Sequence, residues 1–118
     1  MPNDDLKYFK ISYKNDIIII EMENDLTLYY TEGLVNFLRK SISNNYYKFI
    51  FNMKNVRWID SVGLGIIAFT IKSSLMFGKK LCIININENL IQLLIISGLY
   101  PILEIYDSEE KAIKYLNE

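Results

Sequence analysis

Apolar and polar residues alternate along Tyr8-Phe9-Lys10-Ile11-Ser12-Tyr13-Lys14, the period of a strand with one buried face. Asn15-Asp16 supplies a two-residue turn, and the β-branched run from Ile17 to Met22 returns as a second, more buried strand of a hairpin. After the polar break Glu23-Asn24-Asp25, the positions Leu34, Phe37, Leu38 and Ile42 recur at helical spacing. They predict a helix from about Tyr30 to Ser43, with Thr27 or Tyr30-Thr31 near its start and Asn44-Asn45 at its end. Tyr47 to Met53 reads as the next strand. A long helix then runs from Val62 to Phe77, about 24 Å at ~1.5 Å per residue, and Gly78 stops it. Its predicted buried face is Leu64, Ile67, Ala68, Ile71 and Leu75, widened by Ile66, Phe69 and Met76. Lys80 to Ile86 is a further strand; Asn87 or Asn89 caps a short helix, Leu90 to Ile96, closed by Ser97-Gly98. Leu103 to Tyr106 is a last short strand, with Pro101 kept out of its interior. Asp107-Ser108-Glu109-Glu110 opens a terminal helix that reaches Leu116.

The resulting order, β-β-α-β-α-β-α-β-α, predicts an α/β fold. Strands alternating with helices after one hairpin make a mixed, mainly parallel sheet of about five strands packed with about four helices. Residues 1–118 form a single domain, with 1–5 expected to fray. In such sheets functional sites gather at the C-terminal ends of the strands.

Composition narrows the function classes. Apolar residues at 51% and charged residues at 23% exclude a disordered chain. A net charge of −1 without a Lys/Arg run leaves no electrostatic footprint for nucleic acid or an acidic membrane. The longest apolar runs, such as Ile17 to Ile20 and Leu93 to Ile96, fall far short of the ~20 residues that span a bilayer. No basic segment followed by an apolar one opens the chain, so a cytoplasmic address is expected. Cys82 stands alone in an apolar strand and reads as a buried structural thiol. With no histidine, Ser-His-Asp and Cys-His chemistry are excluded, and most transition-metal sites lose their usual ligand. Hydrolytic catalysis at Ser61 is therefore not expected, and no metal or cofactor is called for.

One stretch carries candidate chemistry: Ile59-Asp60-Ser61-Val62-Gly63-Leu64-Gly65, where a strand gives way to the long helix. The first turn of a helix has unpaired N–H groups and a partial positive charge, so it suits an anion. In one reading Asp60 and Ser61 cap the helix, while Gly63 and Gly65 let it approach the sheet closely. In another, Gly63-Leu64-Gly65-Ile66-Ile67-Ala68 matches a dinucleotide fingerprint; but nine residues separate Met53 from Gly63, and Ile83 and Ile84 stand where an acidic residue is required. In the third, Ser61 itself becomes the anion by phosphorylation.

From about Tyr8 to Leu116 the sequence resembles the STAS-domain anti-sigma factor antagonists, or anti-anti-sigma factors. The stretch Asp60-Ser61-Val62-Gly63-Leu64-Gly65 is similar to their D-S-[S/A]-G-L-G phosphorylation motif. A second segment is matched by Ile96-Ser97-Gly98-Leu99, Ile102-Leu103 and the acidic start at Asp107-Ser108-Glu109-Glu110. The resemblance implies a small α/β fold without catalytic activity. It implies binding to an anti-sigma factor that is also a serine kinase of the histidine-kinase-like ATPase type. The unphosphorylated form would displace a sigma factor, the kinase would phosphorylate Ser61, and a PP2C-type phosphatase would reset it. The implied partner-binding residues are Thr27, Trp58, Asp60, Ser61, Val62, Gly63, Leu64 and Gly65. Two departures fall on that face. Asn24-Asp25-Leu26-Thr27 stands where relatives carry Gly-Glu/Lys-Leu-Asp, so Thr27 takes the place of an Asp, and Val62 replaces a small or hydroxyl residue.

Two alternatives use the same fold: a small-ligand or nucleotide-binding sensor, marked by a deep apolar pocket at the strand ends, and a stressosome-like scaffold in which Ser61 is only a helix cap. Tyr29-Tyr30 and Tyr46-Tyr47 are candidate interface anchors but read first as edge packing flanking a helix, Trp58 as a partly buried lid on the sheet end and a plausible contact, and Lys79-Lys80 and Lys111 as solvated.

Overall fold

The computed structural model describes residues 6–118, and the fraying expected of residues 1–5 lies outside the described residues. The hairpin is β1 (Phe9–Lys14) and β2 (Ile17–Met22), with Asn15 at φ 56° in the turn. There follow α1 (Leu34–Ser43), β3 (Lys48–Asn52), α2 (Ser61–Leu75), β4 (Leu81–Ile84), α3 (Glu88–Ile96), β5 (Leu103–Tyr106) and α4 (Glu109–Leu116). The strands lie in the order β1-β2-β3-β4-β5; β1 runs antiparallel to β2, and every later pair is parallel. This is the mixed, mainly parallel α/β sheet that the hydrophobic pattern predicts.

Consecutive right-handed crossovers that advance in one direction keep their helices on one face. Ile18, Ile20, Phe49, Phe51 and Ile83 accordingly pack with Leu34, Leu38, Ile67, Ile71, Leu90 and Leu94 of α1–α3 in the main core. α4 follows the last strand, so no crossover constrains it. It covers the opposite face, setting Ala112 and Leu116 against Ile17, Ile19, Ile50, Cys82 and Ile84. β2 is buried from both sides over Ile17–Ile20, which is why it reads as a continuous apolar run.

Several boundaries and faces differ from expectation. α1 begins at Leu34, not Tyr30, because Gly33 takes the left-handed conformation (φ 83°) and ends a separate 3-10 turn at Leu28–Tyr30 from the helix proper. β4 stops at Ile84 rather than Ile86, since Asn85 turns the chain at φ 59°. Asn87, not Asn89, caps α3, its side-chain oxygen accepting the Leu90 N–H at 2.9 Å. α2 buries Gly63, Ile66, Ile67, Thr70, Ile71 and Ser74, while Ala68, Leu75 and Met76 are exposed. Its helix is apolar nearly all round, so periodicity could not choose the inward face; the packing of its first turn does. Of the lysines expected to be solvated, Lys111 is exposed, in a surface pair with Asp107 at 2.9 Å, whereas Lys79 is half-buried and its Nζ donates to the Tyr115 and Glu118 carbonyls at 3.3 and 2.7 Å.

Candidate functional site at the start of the second helix

Beyond β3 the chain must travel from the sheet to the start of α2. Met53, Val56 and Ile59 are buried and pin this connection to the core, leaving Lys54, Asn55, Arg57 and Trp58 exposed between them. Leu26, fully buried, pairs with Ile59 in a parallel bridge. The Leu26 N–H donates to the Trp58 carbonyl at 3.0 Å, and the Asp60 N–H to the Leu26 carbonyl at 3.3 Å. Two carboxylates complete the lacing. Asp25 Oδ1 accepts the Arg57 and Trp58 N–H groups at 2.8 and 3.2 Å. Asp60 Oδ1 accepts the Gly63 N–H at 3.0 Å, and its Oδ2 accepts the Leu28 N–H at 2.9 Å. A Cβ on Gly63 would lie 2.1 Å from the Leu26 carbonyl oxygen, so this position must be glycine for α2 to start so near the 25–28 segment.

Asp60 is therefore the N-cap of α2, and Ser61 is its exposed first residue. The shared capping role expected for the pair falls to Asp60 alone. The N–H groups of Leu28 and then Gly63 hold the Asp60 carboxyl below the usual carboxylate range. The Ser61 hydroxyl thus sits at the positive end of a 15-residue helix beside an ionised carboxylate.

The other expected site residues divide. Thr27 is half-buried at the head of the Leu28–Tyr30 turn and makes no capping bond of its own. Val62 and Leu64 are half-buried against the main core. Gly63 is buried, so it shapes the site from beneath and presents no surface to a partner. Gly65 is exposed with open space where a side chain would stand; no close approach to the sheet requires it, contrary to expectation. Trp58 is 57% exposed and is not a lid, because Ile59 takes the inward position while both backbone groups of Trp58 are tied to Asp25 and Leu26.

Sequence reasoning passed over Leu28 and read Tyr29 as edge packing. Leu28 is 69% and Tyr29 72% exposed, in the turn that the Leu28 N–H ties to Asp60. The signal for them was present: apolar residues directly after Asn24-Asp25-Leu26-Thr27 that the helical spacing of α1 does not absorb. Tyr47, by contrast, packs as expected, stacked on Phe77 with ring centroids 4.8 Å apart.

An open depression of about 480 Å³ lies at the C-terminal ends of β4 and β5, lined by Asn85, Ile86, Ile91, Ile105, Tyr106 and Lys111 among others. It is polar in part and excludes Ser61, unlike the deep apolar pocket that ligand sensing calls for. Among the described residues no cluster of three or more acidic or thiol side chains is placed to hold a metal ion. No described helix is long and apolar enough to cross a membrane.

A family model for the STAS domain matches residues 8–112. The chain is similar to an anti-sigma F factor antagonist of Paenibacillus polymyxa, with 34% identity over 67 residues, which are 57% of this chain and 57% of that protein's own length. Among solved structures, the solution structure of the Thermotoga maritima protein TM1081 superposes with a TM-score of 0.80 at 22% identity, covering 100% of this chain and 99% of that one. The phosphorylated form of the Bacillus cell fate determinant SpoIIAA gives a TM-score of 0.73 at 18% identity over 92% of this chain and 98% of that one. At such identities these structures are alike in fold.

Proposed function

The chain belongs to the STAS domain family, and from that premise we propose that it is an anti-sigma factor antagonist switched by phosphorylation of Ser61. The observation that carries this reading is the exposure of Ser61 at the first position of α2, with Asp60 already meeting the capping requirement. A serine needed as a cap could not be modified without loosening the helix; this one can. The name of the Paenibacillus relative points to the same role.

Unphosphorylated, the chain binds an anti-sigma factor that is also a serine kinase of the histidine-kinase-like ATPase type, and a sigma factor is released. The kinase esterifies Ser61, and a PP2C-type phosphatase resets it. Phosphate adds about −1.5 to −2 charges next to Asp60. Within the free domain the N-terminus of α2 offsets part of that charge. Against an acidic or closely packed partner nothing offsets it, and an interface penalty of only ~3 kcal/mol lowers affinity more than a hundredfold. The chain supplies no chemistry of its own; it acts in the cytoplasm as a protein-binding module.

Incubation with ATP and a cognate anti-sigma factor kinase, followed by intact-mass measurement, tests the reading. One added phosphate, absent in Ser61→Ala, is expected. Neither phosphate nor a stable complex would overturn it.

A further inference from the structure

The carboxylates of Asp25 and Asp60, which lace the connection leading to Ser61, are spent on backbone. Asp25 holds the Arg57 and Trp58 N–H groups, and Asp60 holds those of Gly63 and Leu28. Thr27, at the head of the Leu28–Tyr30 turn, is neutral. The exposed apolar side chains around this segment are Leu28 at 69% exposure, Tyr29 at 72% and Trp58 at 57%, with Lys54 and Arg57 exposed in the same connection.

These side chains stand on a braced frame. Leu28 is tied to Asp60, and Trp58 to Asp25 and Leu26. The Tyr29 ring meets Tyr30 edge-on with centroids 4.8 Å apart, and Tyr30 meets Tyr8 in the same way at 5.0 Å. Groups already ordered lose little freedom on binding, and rigid aromatic side chains are the residues that most often dominate an interface.

Their position places them under any partner that reaches Ser61. Trp58 is three residues away, a span of at most ~11 Å along an extended chain. The Leu28 nitrogen is 2.9 Å from the carboxylate of the residue preceding Ser61. A standard interface of ~800 Å² per partner corresponds to a disc of roughly 16 Å radius, so a footprint centred on Ser61 covers all three.

We propose that Leu28, Tyr29 and Trp58 form an apolar anchor for the anti-sigma factor, seated in an apolar cleft of that partner. They set affinity, while Ser61 sets the switch. The assignment rests on the reading of Ser61 given above. Anchor contacts are made equally before and during phosphoryl transfer, so losing one raises KM and leaves kcat unchanged. Because the anchor is uncharged, its own contribution to binding responds little to ionic strength.

The test is steady-state phosphorylation of the full chain by its kinase at low and high salt, with complex formation followed by calorimetry. Leu28→Ala, Tyr29→Ala and Trp58→Ala are each expected to raise KM and Kd about tenfold or more, with Trp58→Phe recovering part of the loss. Melting temperatures should stay near wild type, since the side chains are exposed. If Ser61 is phosphorylated normally while these variants keep wild-type KM, the anchor is wrong and the switch survives. KM increases in these variants that disappear at high salt also overturn the anchor. If the wild-type chain neither binds nor accepts phosphate, the switch falls and the anchor with it.

Discussion

The backbone N–H of Leu28 donates to Oδ2 of Asp60 at 2.9 Å, joining two segments 32 positions apart. The other oxygen of the same carboxylate caps α2 through the Gly63 N–H at 3.0 Å. One side chain therefore fixes both the helix that carries Ser61 and the turn that carries Leu28 and Tyr29. Disturbing Asp60 should move both together.

This relationship predicts a pH dependence. The Leu28 and Gly63 N–H groups favour the charged form of Asp60, so its pKa is lower folded than unfolded. A carboxylate depressed in this way contributes stability that is fully present above its unfolded pKa of about 3.9, and the contribution is lost as pH falls through the lower folded value. Thermal melts from neutral pH down to about pH 2 should show wild type losing stability in that acid window. Asp60→Ala should melt lower at neutral pH and change less on acidification. Parallel curves for the two proteins would contradict the assignment.

Two glycines two positions apart but different in role give a second prediction. A Cβ at Gly63 meets a backbone carbonyl oxygen at 2.1 Å, and backbone on both sides has little room to yield. Gly63→Ala should destabilise by about 1–3 kcal/mol or more, as overpacking does. At Gly65 nothing stands within 4 Å. Gly65→Ala should instead stabilise by about 0.8–1 kcal/mol through helix propensity. Urea unfolding of both variants checks the opposite signs.

Ser74 lies fully buried on α2, and its Oγ finds no hydrogen-bond partner among the described residues. Thr70, one turn earlier, returns its hydroxyl to the Ile66 carbonyl at 2.8 Å. Removing an unpartnered buried hydroxyl without opening a large cavity relieves its desolvation cost. Ser74→Ala should raise stability by about 1 kcal/mol, measured by denaturant titration.

Cys82 is buried in β4, and burial pushes its thiol up to about 12. The thiol is then neutral throughout the physiological range, and the thiolate is the reactive form. An alkylating reagent should leave the native chain unmodified at pH 8 and label it promptly in denaturant. Fast labelling of the native chain would show the β3–β4 region opening readily.

Ser61→Asp places a lasting negative charge at the first position of α2, where the helix dipole tolerates it. Its melting temperature should stay close to wild type, while affinity for the anti-sigma factor falls by about a hundredfold or more. Calorimetry giving equal affinities would remove the electrostatic basis of the switch.

Much of this molecule was legible from residue order, because the signals concerned are local. Alternation in Tyr8–Lys14, the continuous isoleucines of Ile17–Ile20 and the Asn15-Asp16 turn specify a hairpin through side-chain period alone. The spacing of later apolar runs specifies strand-helix-strand units, and the handedness of their crossovers then dictates a mainly parallel sheet. The Asp60-Ser61 stretch was found the same way, as polar groups between a strand and a helix.

What period cannot decide is rotation and contact. α2 is apolar almost all round, and its inward face is set by Gly63 lodging under the Leu26 carbonyl, a residue 37 positions upstream. Trp58 points to solvent because Ile59 takes the bridge to Leu26, and α1 starts late because Gly33 separates it from the Leu28–Tyr30 turn. That turn is tied to the residue preceding Ser61 by the carboxylate of Asp60. The sequence by itself determined which elements form and in what order, since backbone period and turn chemistry act over a few residues. The tertiary structure alone decided which side chains surround the serine, since that depends on hydrogen bonds between segments far apart in the chain.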